Sequence, residues 1–188
     1  MIILRDYQEI LWTKSLSGGC EYSEANQGRP LQLPDFFNIF RPKNIEVEAR
    51  KSWSYQHGPI ELVLMRTRHA PDSAISVDES QWCFGILINR RVWISGDTMF
   101  DAGYPIRFAN LAEVMFHDTQ LYKGRVHASY EELMTLPDEV RGKMYLYHYG
   151  DNWNKPETWA NGSDKYTGEP VKDGFLGWTE QGIAYDFY

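Results

Sequence analysis

The hydrophobic positions of this chain change period several times. "RDYQEILWTKSL" carries Tyr7, Ile10, Leu11 and Leu16 at helical spacing, and the glycines of "SGG" are expected to end that helix. Residues 20–34 are rich in Gly, Asn, Ser and Pro and read as a loop. "LPDFFNIF" reads as a short helical or irregular turn opened by Pro34–Asp35. Strand patterns follow. "IEVEAR" (45–50) sets Ile45 and Val47 against Glu46 and Glu48, which predicts a half-exposed strand. "IELVLMRTRH" (60–69) alternates at both ends. "WCFGILI" (82–88) and "VWIS" (92–95) are apolar runs joined by "NRR", which predicts a hairpin buried on at least one face. "AEVMFHD" (112–118) and "GKMYLYHYG" (142–150) predict two more strands. "SYEELMTL" (129–136) predicts a helix capped by Ser129, with Glu132 at the capping-box position. Residues 152–173 are polar and read as a loop or broken helix, and "GIAYDFY" (182–188) as a closing strand. Strands mixed with helices give an α/β class with a mixed sheet.

Composition narrows the function classes. The chain has 188 residues, enough for one domain, taken as 1–188. A net charge of −7 argues against a broad nucleic-acid-binding surface, which needs clustered Lys and Arg. Cys20 and Cys83 form no C-x-x-C pair, and two cysteines are too few for a disulfide scaffold. Reduced thiols and a cytoplasmic location are the simplest expectation. Arg5, Asp6 and Glu9 interrupt the first apolar run, so it reads as neither a signal peptide nor a membrane span.

The polar residues that end the strands carry the chemistry. "ELVLMRTRH" ends at His69, "VWISGD" at Asp97, "VMFHD" at His117–Asp118 and "MYLYH" at His148. In α/β sheets the C-terminal edge is where sites are built. Imidazole and carboxylate are the usual ligands of zinc, iron and manganese. A single His after a strand is usually a surface or capped residue, and an Asp in a G-D-T turn often bonds only backbone N–H groups. Four such endings in one chain point instead to a shared metal site. His57, in "YQHGP", reads as a turn residue, and a structural role is favoured for His117.

"RHAPDSAISVDESQWCFGILINRRVWISGDTMFD", "EVMFHDTQLYKGRVHASYEELMTLP" and "KMYLYHYGD" together resemble the later part of the metallo-β-lactamase fold, in its phosphodiesterase and ribonuclease Z-like branch. The resemblance covers roughly residues 45–151. It implies a partial αββα sandwich and a metal-dependent hydrolase of phosphodiester or other ester bonds. It also implies metal ligands His69, Asp97 and His148, with Asp97 bridging. His127 would be a catalytic histidine oriented by Asp118, so that the catalytic set is Asp97, His127 and Asp118. Zinc, alternatively iron or manganese, would occupy up to two positions. The substrate would be a small molecule or short phosphodiester. The H-x-H-x-D-H signature of that family does not occur here: the first histidine is His57, and no two histidines are separated by one residue. The expectation is therefore the C-terminal portion of the fold, incomplete without an upstream segment, a partner chain or a second copy. The alternative is a non-catalytic binding subunit.

Overall fold

The computed structural model describes residues 1–23, 28–122, 124, 126–155 and 169–187. Its centre is one eight-stranded sheet whose spatial order follows the chain: β1 (Lys43–Val47), β2 (Arg50–His57), β3 (Ile60–Thr67), β4 (Cys83–Ile88), β5 (Val92–Ile94), β6 (Val114–Asp118), β7 (Met144–Tyr147) and β8 (Gly177–Trp178). Strands β1 to β5 form an antiparallel meander, and β5 to β8 run parallel. The α/β class and the mixed sheet stand. Among the described residues there is a single sheet, covered by short helices.

The turns explain the meander. Glu48 and Ala49 take φ of 50° and 58°, and Asn89 and Arg90 take 50° and 53°. Paired left-handed residues twist as two-residue hairpins require. The first pair divides the run expected as one strand over 45–50 into the end of β1 and the start of β2. His57, expected in a turn, is the last residue of β2.

Helices α1 (Arg5–Leu11) and α2 (Ser17–Cys20) flank a π-helical stretch, Trp12–Leu16. The helix therefore runs on through the glycines expected to end it. A Cβ at Gly18 or Gly19 would meet nothing within 4 Å. Helix α3 (Leu33–Phe36) starts where Asp35 Oδ2 accepts the Gln32 N–H at 2.7 Å. These pieces close a small apolar cluster of Ile3, Trp12 and Leu33.

The main core lies on the other elements. Val63, Met65, Leu87, Trp93 and Met115 point from the sheet onto α4 (Gly103–Phe108), α5 (Tyr130–Leu133) and α6 (Asp138–Arg141). Trp93 stacks on Phe108 at 5.6 Å and 14°, and both are fully buried. Each such ring contributes about 2 kcal/mol from area removed from water. Residues 182–187 are not the closing strand expected. Tyr185 and Phe187 instead set their rings edge-on to Phe116, at 5.5 and 6.1 Å, on the sheet's other face. The eighth strand is the two-residue Gly177–Trp178. Of the expected loop over 152–173, residues 156–168 lie outside the described residues.

Candidate metal centre

Because β3, β5, β6 and β7 share one direction, their C-terminal ends meet at one edge of the sheet. Each end is shaped to turn a side chain inward. After β5 the chain folds back at Gly96, with φ of 66°. A Cβ there would lie 2.2 Å from the Phe84 carbonyl oxygen, so only glycine fits. The turn presents the Thr98 N–H to Asp118 Oδ2 at 2.9 Å. The Cys83 thiol donates to the Asp97 carbonyl at 2.8 Å and steadies the same turn. Burial pushes that thiol's pKa up, chiefly through desolvation. After β7, His148 takes the left-handed conformation with φ of 65°. A non-glycine residue held there stores strain, and such positions cluster at functional sites.

Asp118 is the centre of the arrangement. It is fully buried at the end of β6, and its backbone N–H bonds Ser95 Oγ at 2.8 Å. Oδ2 accepts from His127 Nδ1 at 2.7 Å, and Oδ1 accepts from His148 Nδ1 at 2.9 Å. One carboxylate thus clasps two imidazoles and the Thr98 amide. His127 is placed by the loop before α5: Gln120 N bonds the Ala128 carbonyl, and Ala128 N bonds the Thr98 carbonyl, both at 2.8 Å. Ser129 and Glu132 close the predicted capping box behind it. His69 joins from the other side, its Nδ1 2.8 Å from the Val126 carbonyl oxygen. The rings of His69, His127 and His148 follow one another at 4.9 and 4.6 Å.

Asp97 stands at the rim. Its side chain is 49% exposed and its Oδ1 lies 3.8 Å from His148 Nδ1. All five residues singled out in the sequence, His69, Asp97, Asp118, His127 and His148, therefore reach the same edge. The tightest set differs from the one read there: single ligand atoms of Asp118, His127 and His148 lie within 4.8 Å of one another. His117 points away into the core, edge-on to Trp93 at 5.5 Å, and its burial lowers its pKa. His57 lies beside Tyr55 on β2, ring centroids 6.4 Å apart.

Sequence reasoning passed over the supports. Ser95 and Tyr147 are linked at 3.2 Å beneath the site, and burial pushes the Tyr147 phenol far up. Ser95 was the one readable signal, a small hydroxyl between an apolar strand and the G-D turn. Chemically, an imidazole whose Nδ1 donates to a carboxylate or carbonyl leaves Nε2 as the unprotonated, metal-binding nitrogen. Two or three such nitrogens beside a carboxylate form a donor set suited to a borderline divalent ion.

The model of the Anti-Pycsar protein Apyc1 family matches residues 1–181. The chain belongs to that family. It is 32% identical over 146 residues to an Anti-Pycsar protein Apyc1 of Bacillus phage BSP38, covering 77% of this chain and 53% of the relative. The corresponding protein of Bacillus phage 010DV004 is 35% identical over 148 residues, covering 77% and 53%. That of Paenibacillus harenae is 34% identical over 147 residues, covering 76% and 52%. The chain spans about half the length of the curated relatives it matches.

These matches correct the sequence reading. The metallo-β-lactamase resemblance rested on three segments within roughly residues 45–151 and lacked that family's H-x-H-x-D-H signature. The Apyc1 match runs over nearly the whole chain, and none of these relatives carries a metallo-β-lactamase name. The expected family, and the hydrolase function and zinc label that came with it, give way to Apyc1 membership. No helix among the described residues is long and apolar enough to cross a membrane.

Proposed function

We propose that this chain serves the anti-Pycsar role for which its relatives are named, and that it does so through a metal centre at the C-terminal edge of the sheet. The observation that carries the reading is the fully buried Asp118 carboxylate clasping His127 and His148. A buried carboxylate needs full satisfaction by donors. Spending it on two imidazoles fixes both tautomers and aims both Nε2 atoms. His127 and His148 would hold the ion, with the Asp97 carboxylate at the rim and His69 beside them as further donors. The ion would be a divalent first-row transition metal, which supplies a concentrated positive charge where an anionic or polar ligand meets the site. Asp118 orients the two imidazoles, Thr98 and Ser95 hold Asp118, and Gly96 permits the turn that brings them together.

The test has two readouts. The purified chain is analysed for bound metal, and the same chain is expressed in cells whose Pycsar response is scored. Wild type should carry metal and suppress the response. His148→Ala should lose both, because it removes a donor from a half-exposed position without opening the core. Suppression by His148→Ala at the wild-type level, or suppression by a wild-type chain that carries no metal, would overturn the proposal.

A further inference from the structure

A second cavity, of about 380 Å³, lies at the start of β2 and the end of β3 and shares no lining residue with the cavity beside His127 and His148. Three cations border it, each seated on an aromatic ring. Arg50 Cζ lies 3.9 Å from the centroid of Tyr104, Arg66 Cζ 4.4 Å from Trp82, and Lys51 Nζ 5.5 Å from Trp53. The rings are fixed in turn: Phe84 packs between Trp53 and Trp82, at 6.0 and 5.8 Å. A cation on a ring face is held in place while its N–H groups stay available at the edge. In a chain of net charge −7, three cations at one cavity are a local reversal of sign.

Three cations against two lining carboxylates leave the cavity net positive. Arg50 meets Asp101 only at 3.5 Å, and Arg66 meets Asp78 at 4.0 Å through a carboxylate that is 93% exposed. Arg66 is otherwise held by the carbonyls of Val77 and Ser80, which carry no net charge. Its Nε is buried without a hydrogen-bond partner among the described residues. Desolvation lowers its pKa, the cost of keeping a cation half buried without close compensation. Lys51 has no ion-pair partner among the described residues, although Glu46 lies opposite it on β1. Asp6, from α1, and Asp78 are the two acidic side chains that line the cavity.

We propose that this cavity binds a small phosphate-class dianion, with Arg50, Lys51 and Arg66 converging on its oxygens. Three cationic side chains at one cavity suit the several oxygens of a phosphate dianion better than the two of a carboxylate. The indole walls leave room for an organic substituent, so the dianion is either free phosphate or a phosphate monoester.

Calorimetric titration of the full chain with inorganic phosphate, phenyl phosphate and benzoate tests this. Phosphate should bind, phenyl phosphate at least as tightly, and benzoate more weakly than either. Lys51→Gln, at an exposed position, should weaken phosphate binding about tenfold, the loss of one charge-assisted contact. Lys51→Glu should weaken it further, and His148→Ala should leave it unchanged. A preference of free phosphate over phenyl phosphate would assign the site to the free ion. No phosphate binding, benzoate binding equal to phenyl phosphate, an unaffected Lys51→Glu, or loss of binding in His148→Ala would each overturn the proposal.

Discussion

Asp118→Asn keeps the shape of the central side chain and exchanges one acceptor for a donor. Oδ2 serves both Thr98 N and His127 Nδ1, whereas Oδ1 serves His148 Nδ1 alone. The amide should therefore keep its oxygen at the first position and place its NH₂ against His148. His148 Nδ1 must then accept, its proton moves to Nε2, and that nitrogen no longer binds a metal. Loss of a charged hydrogen-bond partner costs about 1.5–3 kcal/mol. Partners that orient metal-bound histidines change affinity by roughly 10–100-fold when replaced. The two ranges agree, since 1.4 kcal/mol is about tenfold. Cobalt(II) titration followed by its visible absorption bands reads the affinity directly, and thermal unfolding checks that the variant is folded. The expected result is a folded variant with cobalt binding weakened at least tenfold. A folded Asp118→Asn whose cobalt affinity stays within a factor of two of wild type would show that Asp118 does not set the tautomer of His148.

Other consequences are more local. Gly96→Ala should destabilise the fold by more than about 2 kcal/mol, because the clash with Phe84 O adds to the left-handed backbone cost; a midpoint unchanged in urea would contradict the turn geometry. Iodoacetamide at mildly alkaline pH should label Cys20 well before Cys83, whose thiol is held protonated by burial, and peptide mapping would expose the reverse order. Asp35 is held down to about 2, first by the Arg29 side chain and then by the Gln32 N–H. A lowered carboxylate pKa stabilises above the ordinary value of 3.8 and is lost as pH falls toward about 2. The α3 cap should therefore loosen over that window, and Arg29→Gln should move the Asp35 carboxyl titration, followed by NMR, upward.

The strands that build the site were legible because their burial imposes a pattern. Strands β3, β5, β6 and β7 are apolar runs followed by polar residues, so their His and Asp endings could be read without coordinates. What could not be read was the set of elements whose stability is borrowed from neighbours. β2 contains Lys51, Ser52, Ser54 and Gln56, a polar composition, yet it pairs along its length with β3 because each strand supplies the other's ladder. Helix α4 contains Gly103 and Pro105, which read as breakers; the proline sits in the first turn, where its missing N–H costs nothing. The alternation of "GIAYDFY" was real, but its aromatics met Phe116 and Tyr145 before they met a strand edge.

The site shows the same division between what a residue is and what it touches. The five residues read in the sequence meet at one edge, but the structure gathers them around Asp118 rather than Asp97. Asp97 was favoured because it is the carboxylate of a conspicuous G-D-T turn, and a turn is a local signal. Asp118 was given a supporting part because nothing local marks it: "FHD" reads as a strand end like any other. Its position depends on three separate returns of the chain to the same edge, at Thr98, His127 and His148, with sequence separations of 20, 9 and 30 residues. Burial is the deciding term. Asp97 is half in water and can satisfy itself with solvent, whereas Asp118 is sealed and must be satisfied by these neighbours alone. That obligation is what turns three loops into one site. It also explains why Gly96, which carries no chemistry, is as indispensable to the geometry as the histidines: without its left-handed turn the Thr98 amide does not reach the carboxylate.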